Sequence, residues 1–195
     1  FQEGRVEVKG LSSPSGGRNG GAFEVRTSAA GKAAERGSAD FTAGAALTRD
    51  ELRRAMDARR GALRRAADRA GAARLSAVAL GEMGLGNTTA AAALAASLTG
   101  AEVEDVCGRG TGVGDAGLET KRAAVRDALA ANAALLEGGE GGRDDEDGGG
   151  AQMPFALLAL RAVGGCELAA IAGAVLECAA ADDEDDAQEG RAAGG

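Results

Sequence analysis

The chain has 195 residues and a net charge of −8, and it contains no histidine, tyrosine or tryptophan. The missing residue types exclude imidazole catalysis, metal ligation by histidine and acid–base chemistry by tyrosine. Cys107, Cys166 and Cys178 are too far apart in sequence for a C-x-x-C pair, so we expect three reduced, buried thiols in a cytosol-like compartment.

The acidic residues are unevenly distributed along the chain. Nine of them form two runs, at 144–147 and 182–186, and the rest of the chain carries 21 acidic and 22 basic residues. We therefore predict no nucleic-acid surface, and without an apolar run of about 18 residues we predict no membrane span. The chain begins at Phe1 and shows no signal-like apolar segment. We expect an incomplete gene product located in the cytoplasm, with an organellar location left open.

The N-terminal segment, residues 1–36, is poorly defined by its sequence. Short alternating patterns at 6–8 and 23–25 predict two strands, and the stretch rich in serine and glycine between them predicts a flexible loop. A capping box, with Thr48 as N-cap and Glu51 three residues later, begins a helix predicted to reach residue 70. The arginines of this helix are interpreted as a solvated face (Arg53, Arg54, Arg59, Arg60, Arg64 and Arg65).

Two glycine-rich loops dominate the middle of the chain. An apolar run at 75–80 predicts a buried strand, which is followed by the first loop and by an alanine-rich helix over 88–98. The second loop, at 108–112, precedes a helix predicted over 117–137. A strand, a glycine loop and a helix in this order direct free backbone N–H groups and a helix N-terminus at a phosphate. The sequence therefore predicts an anionic ligand.

The last third of the chain combines apolar and acidic segments. Residues 138–152 are predicted to form a glycine-rich, acidic linker, and helices are predicted at 154–163, with Pro154 as the first residue, and at 166–180. The acidic tail at 181–195 is predicted to be disordered. We therefore expect a phosphate-binding α/β core at 37–137 that is continued by the helices of 153–180.

Neither common nucleotide motif is complete in the first loop. Residues 81–88 match the P-loop pattern except that Asn87 occupies the lysine position, and Thr89 occupies the third glycine position of the dinucleotide pattern. Two such loops indicate a monophosphate site with Lys121 as the counter-charge. Purely structural glycine turns and an ordinary exposed Lys121 stay open as alternatives. The other residues assigned to the site are Gly84, Gly86, Asn87, Thr88, Thr89, Gly108, Arg109, Gly110, Thr111 and Gly112.

Three segments of the chain closely resemble those of one protein family. They are GEMGLGNTT at 81–89, GRGTG at 108–112 with GLETKR at 117–122, and VGGCELAAIAGA at 163–174. In residues, order and spacing they resemble the nicotinate-nucleotide:dimethylbenzimidazole phosphoribosyltransferase family, which acts in assembly of the cobalamin lower ligand. The resemblance runs from about residue 37 to residue 180 and covers the central part of the family.

The resemblance implies an α/β fold with a Rossmann-like open, mainly parallel sheet and flanking helices, incomplete relative to the family, and usually a homodimer. It implies a pentosyltransferase that moves the ribose 5-phosphate of nicotinate mononucleotide to 5,6-dimethylbenzimidazole, giving α-ribazole 5′-phosphate and nicotinate. Neither a metal nor another cofactor is implied. On the family's pattern, Glu82, Gly84, Gly110 and Lys121 lie near the ribose phosphate. Glu82 is the catalytic candidate, because it would stabilise positive charge developing on the sugar.

One departure from the family concerns the catalytic base. The family's general base is a glutamate in a C-terminal G-E-G-S-G-A-like motif, and this sequence has no such motif. The N-terminal region that helps to hold the benzimidazole is also largely absent. The alternatives to an active enzyme are a non-catalytic fragment that binds a nucleotide monophosphate and a structural subunit that pairs with a complete homologue.

Overall fold

The computed structural model describes residues 5–9, 22–26, 37–70, 77–82, 86–138 and 153–192. Two strands, β1 (Arg5–Lys9) and β2 (Ala22–Arg26), pair antiparallel, which confirms the two strands predicted near the N-terminus. The loop predicted between them, and all but the first residue of the predicted linker, lie outside the described residues.

Helices account for most of the remaining described residues. Those predicted to begin at 48, 88, 154 and 166 each begin within one residue of that position. In chain order the helices of the described part are α1 (Arg49–Ala70), α2 (Asn87–Thr99), α3 (Val103–Val106), α4 (Asp115–Ala131), α5 (Ala133–Leu136), α6 (Phe155–Val163) and α7 (Cys166–Ala192).

The first turn of α1 is closed by the predicted capping box. The backbone N–H and the hydroxyl of Thr48 both donate to Glu51 Oε2 at 2.8 Å, and the Glu51 N–H donates to Thr48 Oγ1 at 3.2 Å. Asp50 and Glu51 also place negative charge in the first turn, where the helix dipole favours it. The capping box is therefore confirmed, and it fixes where α1 begins.

The helix predicted over 117–137 is interrupted at Asn132, which separates α4 from α5. Asn132 is only 3% exposed. Its side-chain Nδ2 donates to the backbone oxygens of Phe41 at 2.9 Å, Gly44 at 3.2 Å and Ala128 at 2.8 Å. Because this amide bonds a distant loop as well as its own helix, tertiary contacts decide where α4 ends.

Helix α1 packs most extensively against α7. Gly173 of α7 lies against the backbone of Met56, and the carboxylate of Glu177, one turn further along α7, pairs with both Arg60 and Arg64. The contacts advance in the same direction on both helices, so α1 and α7 run parallel. Two arginines of the predicted solvated face therefore serve the contact between helices.

The core is built mainly from alanine and small aliphatic side chains, as the composition indicates. One buried cluster joins α2, α3, α4 and α6, and a second joins the segment before α1 to α1, α6 and α7. Helix α6 contributes to both clusters, so the helices after the predicted linker belong to the same core as those before it. Cys107 is buried in this core, whereas Cys166 and Cys178 are half-buried free thiols.

The predicted strand at 75–80 is not observed over its described part. Residues 77–80 have no regular secondary structure, and Leu80 is 37% exposed instead of buried. A strand needs a neighbour for its backbone hydrogen bonds, and the ladder between β1 and β2 is the only one that the described ranges contain. The parallel sheet is therefore not seen in the described part of the chain.

The C-terminal helix is longer than predicted. Helix α7 continues to Ala192, so the acidic run at 182–186 is helical, contrary to the disordered tail predicted from its charge. The segment contains alanine, glutamate and glutamine and no proline, and a helix that has already nucleated adds one hydrogen bond for each further residue. Among the described helices, none combines the length and the apolar character needed to cross a bilayer.

Candidate anion site between two glycine loops

The first glycine loop ends at the N-terminus of α2. Gly86 is the N-cap residue, with φ at 82° and no side chain to cap the helix. Its carbonyl oxygen accepts hydrogen bonds from the N–H groups of Thr89 at 2.8 Å and Ala90 at 3.2 Å. Within the described residues, no backbone oxygen accepts from the N–H groups of Asn87 and Thr88. These two donors are therefore available to an anion.

The second glycine loop forms a tight turn between α3 and α4. The Arg109 carbonyl oxygen accepts from the N–H groups of Gly112 and Val113, both at 3.3 Å, and Gly110 and Gly112 have φ of 60° and 108°. The Arg109 guanidinium donates to the Val113 carbonyl oxygen at 3.1 Å and pairs with Asp115. The charge of Arg109 is thus used inside its own loop.

Lys121 of α4 connects the two loops. Its Nζ donates to Thr88 Oγ1 and to the Gly108 carbonyl oxygen, both at 2.8 Å. The side chain is half-buried, and with two of its three donors engaged Lys121 is not an ordinary exposed lysine. The loops also meet at Gly110, where an added Cβ would lie 2.8 Å from the same Thr88 Oγ1. The structure therefore brings Thr88, Gly108, Gly110 and Lys121 together.

Two arginines further along α4 hold α3, which leads into the second loop. Arg126 pairs with the Glu104 carboxylate of α3 and, at 3.2 Å, with the Glu119 carboxylate of α4. The Arg122 guanidinium donates to the Glu104 carbonyl oxygen at 3.4 Å. The hydrogen bond from Arg126 lowers the pKa of the Glu104 carboxyl. The sequence analysis did not predict this support. The signal was present, because Arg122 follows Lys121 directly and Arg126, four residues later, lies on the same face of the helix as Arg122.

The structure does not bring every predicted site residue to this cluster. Glu82 is exposed and takes no part in the hydrogen bonds around Lys121, and Gly84 lies outside the described residues. Asn87 and Thr89 are half-buried in the first turn of α2, and Thr111 is exposed on the second loop. The functional roles of all the assigned site residues, these five included, stay predictions.

The cluster has the electrostatics of an anion site. It combines the positive end of the α2 dipole, two free backbone N–H groups and the Lys121 ammonium, and it is open to solvent at Thr88. In the described ranges, no three cysteine or carboxylate side chains are placed to hold a metal ion. The arrangement can hold and neutralise a phosphate, and no carboxylate of the described part of the chain pairs with Lys121.

Comparison with known proteins gives consistent results. A phosphoribosyltransferase family matches residues 16–182 of the chain. The nicotinate-nucleotide–dimethylbenzimidazole phosphoribosyltransferase of Thermus thermophilus is 48% identical over 141 residues, which cover 72% of this chain and 36% of that protein. The protein of the same name from Chromobacterium violaceum is 47% identical over 141 residues, covering 72% and 35% respectively.

The fold is similar to that of a protein whose structure has been solved. The crystal structure of CobT from Thermus thermophilus is 46% identical and superimposes with a TM-score of 0.54, covering 72% of this chain and 35% of that one. The likeness is consistent with the predicted α/β class. The chain spans about a third of the length of the relatives that it matches.

Proposed function

This chain belongs to the nicotinate-nucleotide:dimethylbenzimidazole phosphoribosyltransferase family, and from that membership we propose that it carries the phosphate-binding part of such an enzyme. The reaction moves the ribose 5-phosphate of nicotinate mononucleotide to 5,6-dimethylbenzimidazole and releases nicotinate. The observation that carries this proposal is the pair of hydrogen bonds by which Lys121 joins the two glycine loops.

The 5-phosphate occupies the N-terminus of α2 in this proposal. The free N–H groups of Asn87 and Thr88 donate to its oxygens, and the third N–H of the Lys121 ammonium, which is not engaged by Thr88 or Gly108, supplies the positive charge. Anchoring the phosphate also holds the ribose in place, so that the attacking benzimidazole and the sugar react as if they were within one molecule.

The chemistry takes place at C1 of the ribose. A benzimidazole nitrogen forms a bond to C1 while the bond from C1 to the nicotinate nitrogen breaks, and the electron pair leaves with nicotinate. Positive charge develops on the sugar in the transition state, where a carboxylate such as Glu82 stabilises it. The proton of the benzimidazole passes to a base, for which Glu82 is the candidate that this sequence offers.

The runner-up function is that of a chain without turnover, either a fragment that binds a nucleotide monophosphate or a structural subunit that has lost the catalytic base. The exposure of Glu82 and its absence from the hydrogen bonds around Lys121 favour this alternative. Incubation with nicotinate mononucleotide and 5,6-dimethylbenzimidazole, followed by chromatography for α-ribazole 5′-phosphate, separates the two. Product supports the transferase, whereas calorimetric binding of the mononucleotide without product supports the alternative.

The role of Lys121 is tested by Lys121→Ala, with Arg54→Ala in α1 as a control that removes an equal charge from an exposed site. Loss of a hydrogen bond to a charged group costs about 1.5–3 kcal/mol, so we expect the Kd for nicotinate mononucleotide to rise roughly 10- to 150-fold. The control should leave the Kd unchanged. Equal affinities of Lys121→Ala and wild type would remove the phosphate role of Lys121.

We further propose the finer properties that the family resemblance implies, namely an open, mainly parallel sheet, a homodimer and a cytoplasmic location. We also propose that residues 37–137 and 153–180 form one domain, which is supported by the sharing of buried clusters between α2, α4 and α6. Light scattering after size-exclusion chromatography tests the dimer. Limited proteolysis tests the domain, since cleavage at 138–152 should leave the two pieces associated.

A further inference from the structure

The close approach of the second loop to Thr88 singles out one glycine. A Cβ added at Gly110 would lie 2.8 Å from Thr88 Oγ1 and 3.6 Å from its Cβ and Cγ2. Cβ atoms added at Gly108 or Gly112, in the same loop, would meet nothing within 4 Å. Gly110 is therefore the position at which the missing side chain makes room for the Thr88 hydroxyl.

The hydrogen bond from Lys121 determines how that hydroxyl can act. An ammonium only donates, so Thr88 Oγ1 accepts from Lys121 and its own proton points elsewhere. Thr99 and Thr120, which lie inside helices, donate their hydroxyls to the carbonyl oxygen four residues earlier, at 2.7 Å and 3.0 Å. Thr88 is in the first turn of α2, and no acceptor for its hydroxyl is present among the described residues.

We propose that Gly110 is a positioning residue that, together with Lys121, holds the Thr88 hydroxyl as a donor to the bound anion. Gly110 allows the backbone to pack against Thr88, Lys121 occupies the acceptor side of Oγ1, and the free proton is directed at the ligand beside the N–H groups of α2. This inference rests on the proposed function for the identity of the ligand, nicotinate mononucleotide. The coupling between Gly110 and Thr88 is a property of the protein without ligand.

The ligand-free coupling is tested by thermal unfolding of four proteins: wild type, Gly110→Ala, Thr88→Ala and the double variant. Removal of the Thr88 hydroxyl and methyl leaves only its Cβ, 3.6 Å from the added Cβ, which is an ordinary contact. Gly110→Ala should therefore lower Tm more in the wild-type background than in the Thr88→Ala background. Equal Tm losses in the two backgrounds would overturn the steric coupling, whether or not the protein binds the mononucleotide.

The donor role is tested by calorimetric titration with nicotinate mononucleotide. Thr88→Val removes the hydroxyl that donates to a charged oxygen, and Gly110→Ala displaces it, so each should raise Kd roughly 10- to 100-fold. Thr88→Ser keeps the hydroxyl and should stay within a few-fold of wild type. Gly100→Ala, at the C-terminal end of α2, is the matched control, since it places alanine at nearly the same positive φ (69°, against 60° at Gly110) but meets no neighbour.

The outcomes separate the inference from the proposed function. If wild type binds and the Thr88→Val and Gly110→Ala variants bind equally well, the donor role is wrong while the proposed function stands. If Gly100→Ala weakens binding as much as Gly110→Ala, backbone strain explains the effect and the positioning role is wrong. If wild type does not bind, the proposed function and the donor role both fail, and the unfolding comparison alone decides the coupling.

Discussion

Replacement of Gly173 by alanine should force α7 away from α1. Gly173 is buried at the contact between these parallel helices, and an added Cβ would lie 2.6 Å from the Met56 Cα and 2.7 Å from its carbonyl carbon, with the carbonyl oxygen closer still. All of these are backbone atoms, so no side chain can rotate to make room. The helices must separate, and separation opens gaps around the neighbouring contacts.

Two opposing effects determine the size of the loss. Alanine is about 1 kcal/mol better than glycine in a helix interior. Overpacking of a well-packed contact costs about 1–3 kcal/mol, and overlap with backbone puts this site at the upper end of that range. We therefore expect a net loss of about 2 kcal/mol in the free energy of unfolding. For a chain of this length the loss corresponds to a decrease in Tm of about 4–8 °C.

The same substitution in the partner helix provides the control. Gly61 is inside α1, and an added Cβ there would meet only the guanidinium of Arg65, which is the flexible end of a side chain, at 3.1 Å. Gly61→Ala should therefore raise Tm by about 2–4 °C, from helix propensity alone. Thermal unfolding followed by circular dichroism measures both variants. A Tm for Gly173→Ala equal to or above that of wild type would refute the close packing of α1 and α7.

Other substitutions test the remaining contacts. Asn132→Ala should destabilise the fold by about 1–3 kcal/mol in urea unfolding, because it leaves the half-buried carbonyl oxygens of Phe41 and Gly44 without their donor. Leu47→Ala should cost about 2–5 kcal/mol in the same assay, since Leu47 is only 1% exposed. The hydrogen bond from Arg64 lowers the pKa of the Glu177 carboxyl below its value in the unfolded chain, which is near 4.5. The ion pair therefore stabilises the fold fully above the unfolded-state pKa, and this stabilisation is lost as pH falls through the folded-state pKa. Glu177→Gln should make the free energy of unfolding less dependent on pH in this acidic range, and an unchanged pH dependence would contradict the ion pair.

Local signals were sufficient to predict most of the helices. The beginning of α1 follows from Thr48 and Glu51 alone, because a capping box involves residues only three positions apart. The apolar run at 75–80 is a different case, since a strand exists only where another strand pairs with it. An apolar pattern carries no information about that neighbour, and over 77–80 the structure shows an irregular segment.

The candidate site depends on contacts between residues that are far apart in sequence. Lys121 bonds Thr88, 33 positions earlier, and the family resemblance indicated both residues without indicating that they touch. The approach of Gly110 to Thr88 could not be predicted either, because many glycines in this chain have no close neighbour. Asn132 is compatible with a helix interior, and only its bonds to the Phe41 and Gly44 carbonyl oxygens explain why it ends α4.

The pairing of α1 with α7 constrains the order in which the chain can fold during synthesis. Residues 71–165 separate the two helices, and at about 5–20 residues per second the ribosome needs roughly 5–20 s to produce that stretch. During this interval the apolar stripe of α1, which includes Leu52 and Ala66, has no cover from its native partner. The nascent chain therefore exposes this stripe until α7 has emerged, and it can reach its native topology only after that point.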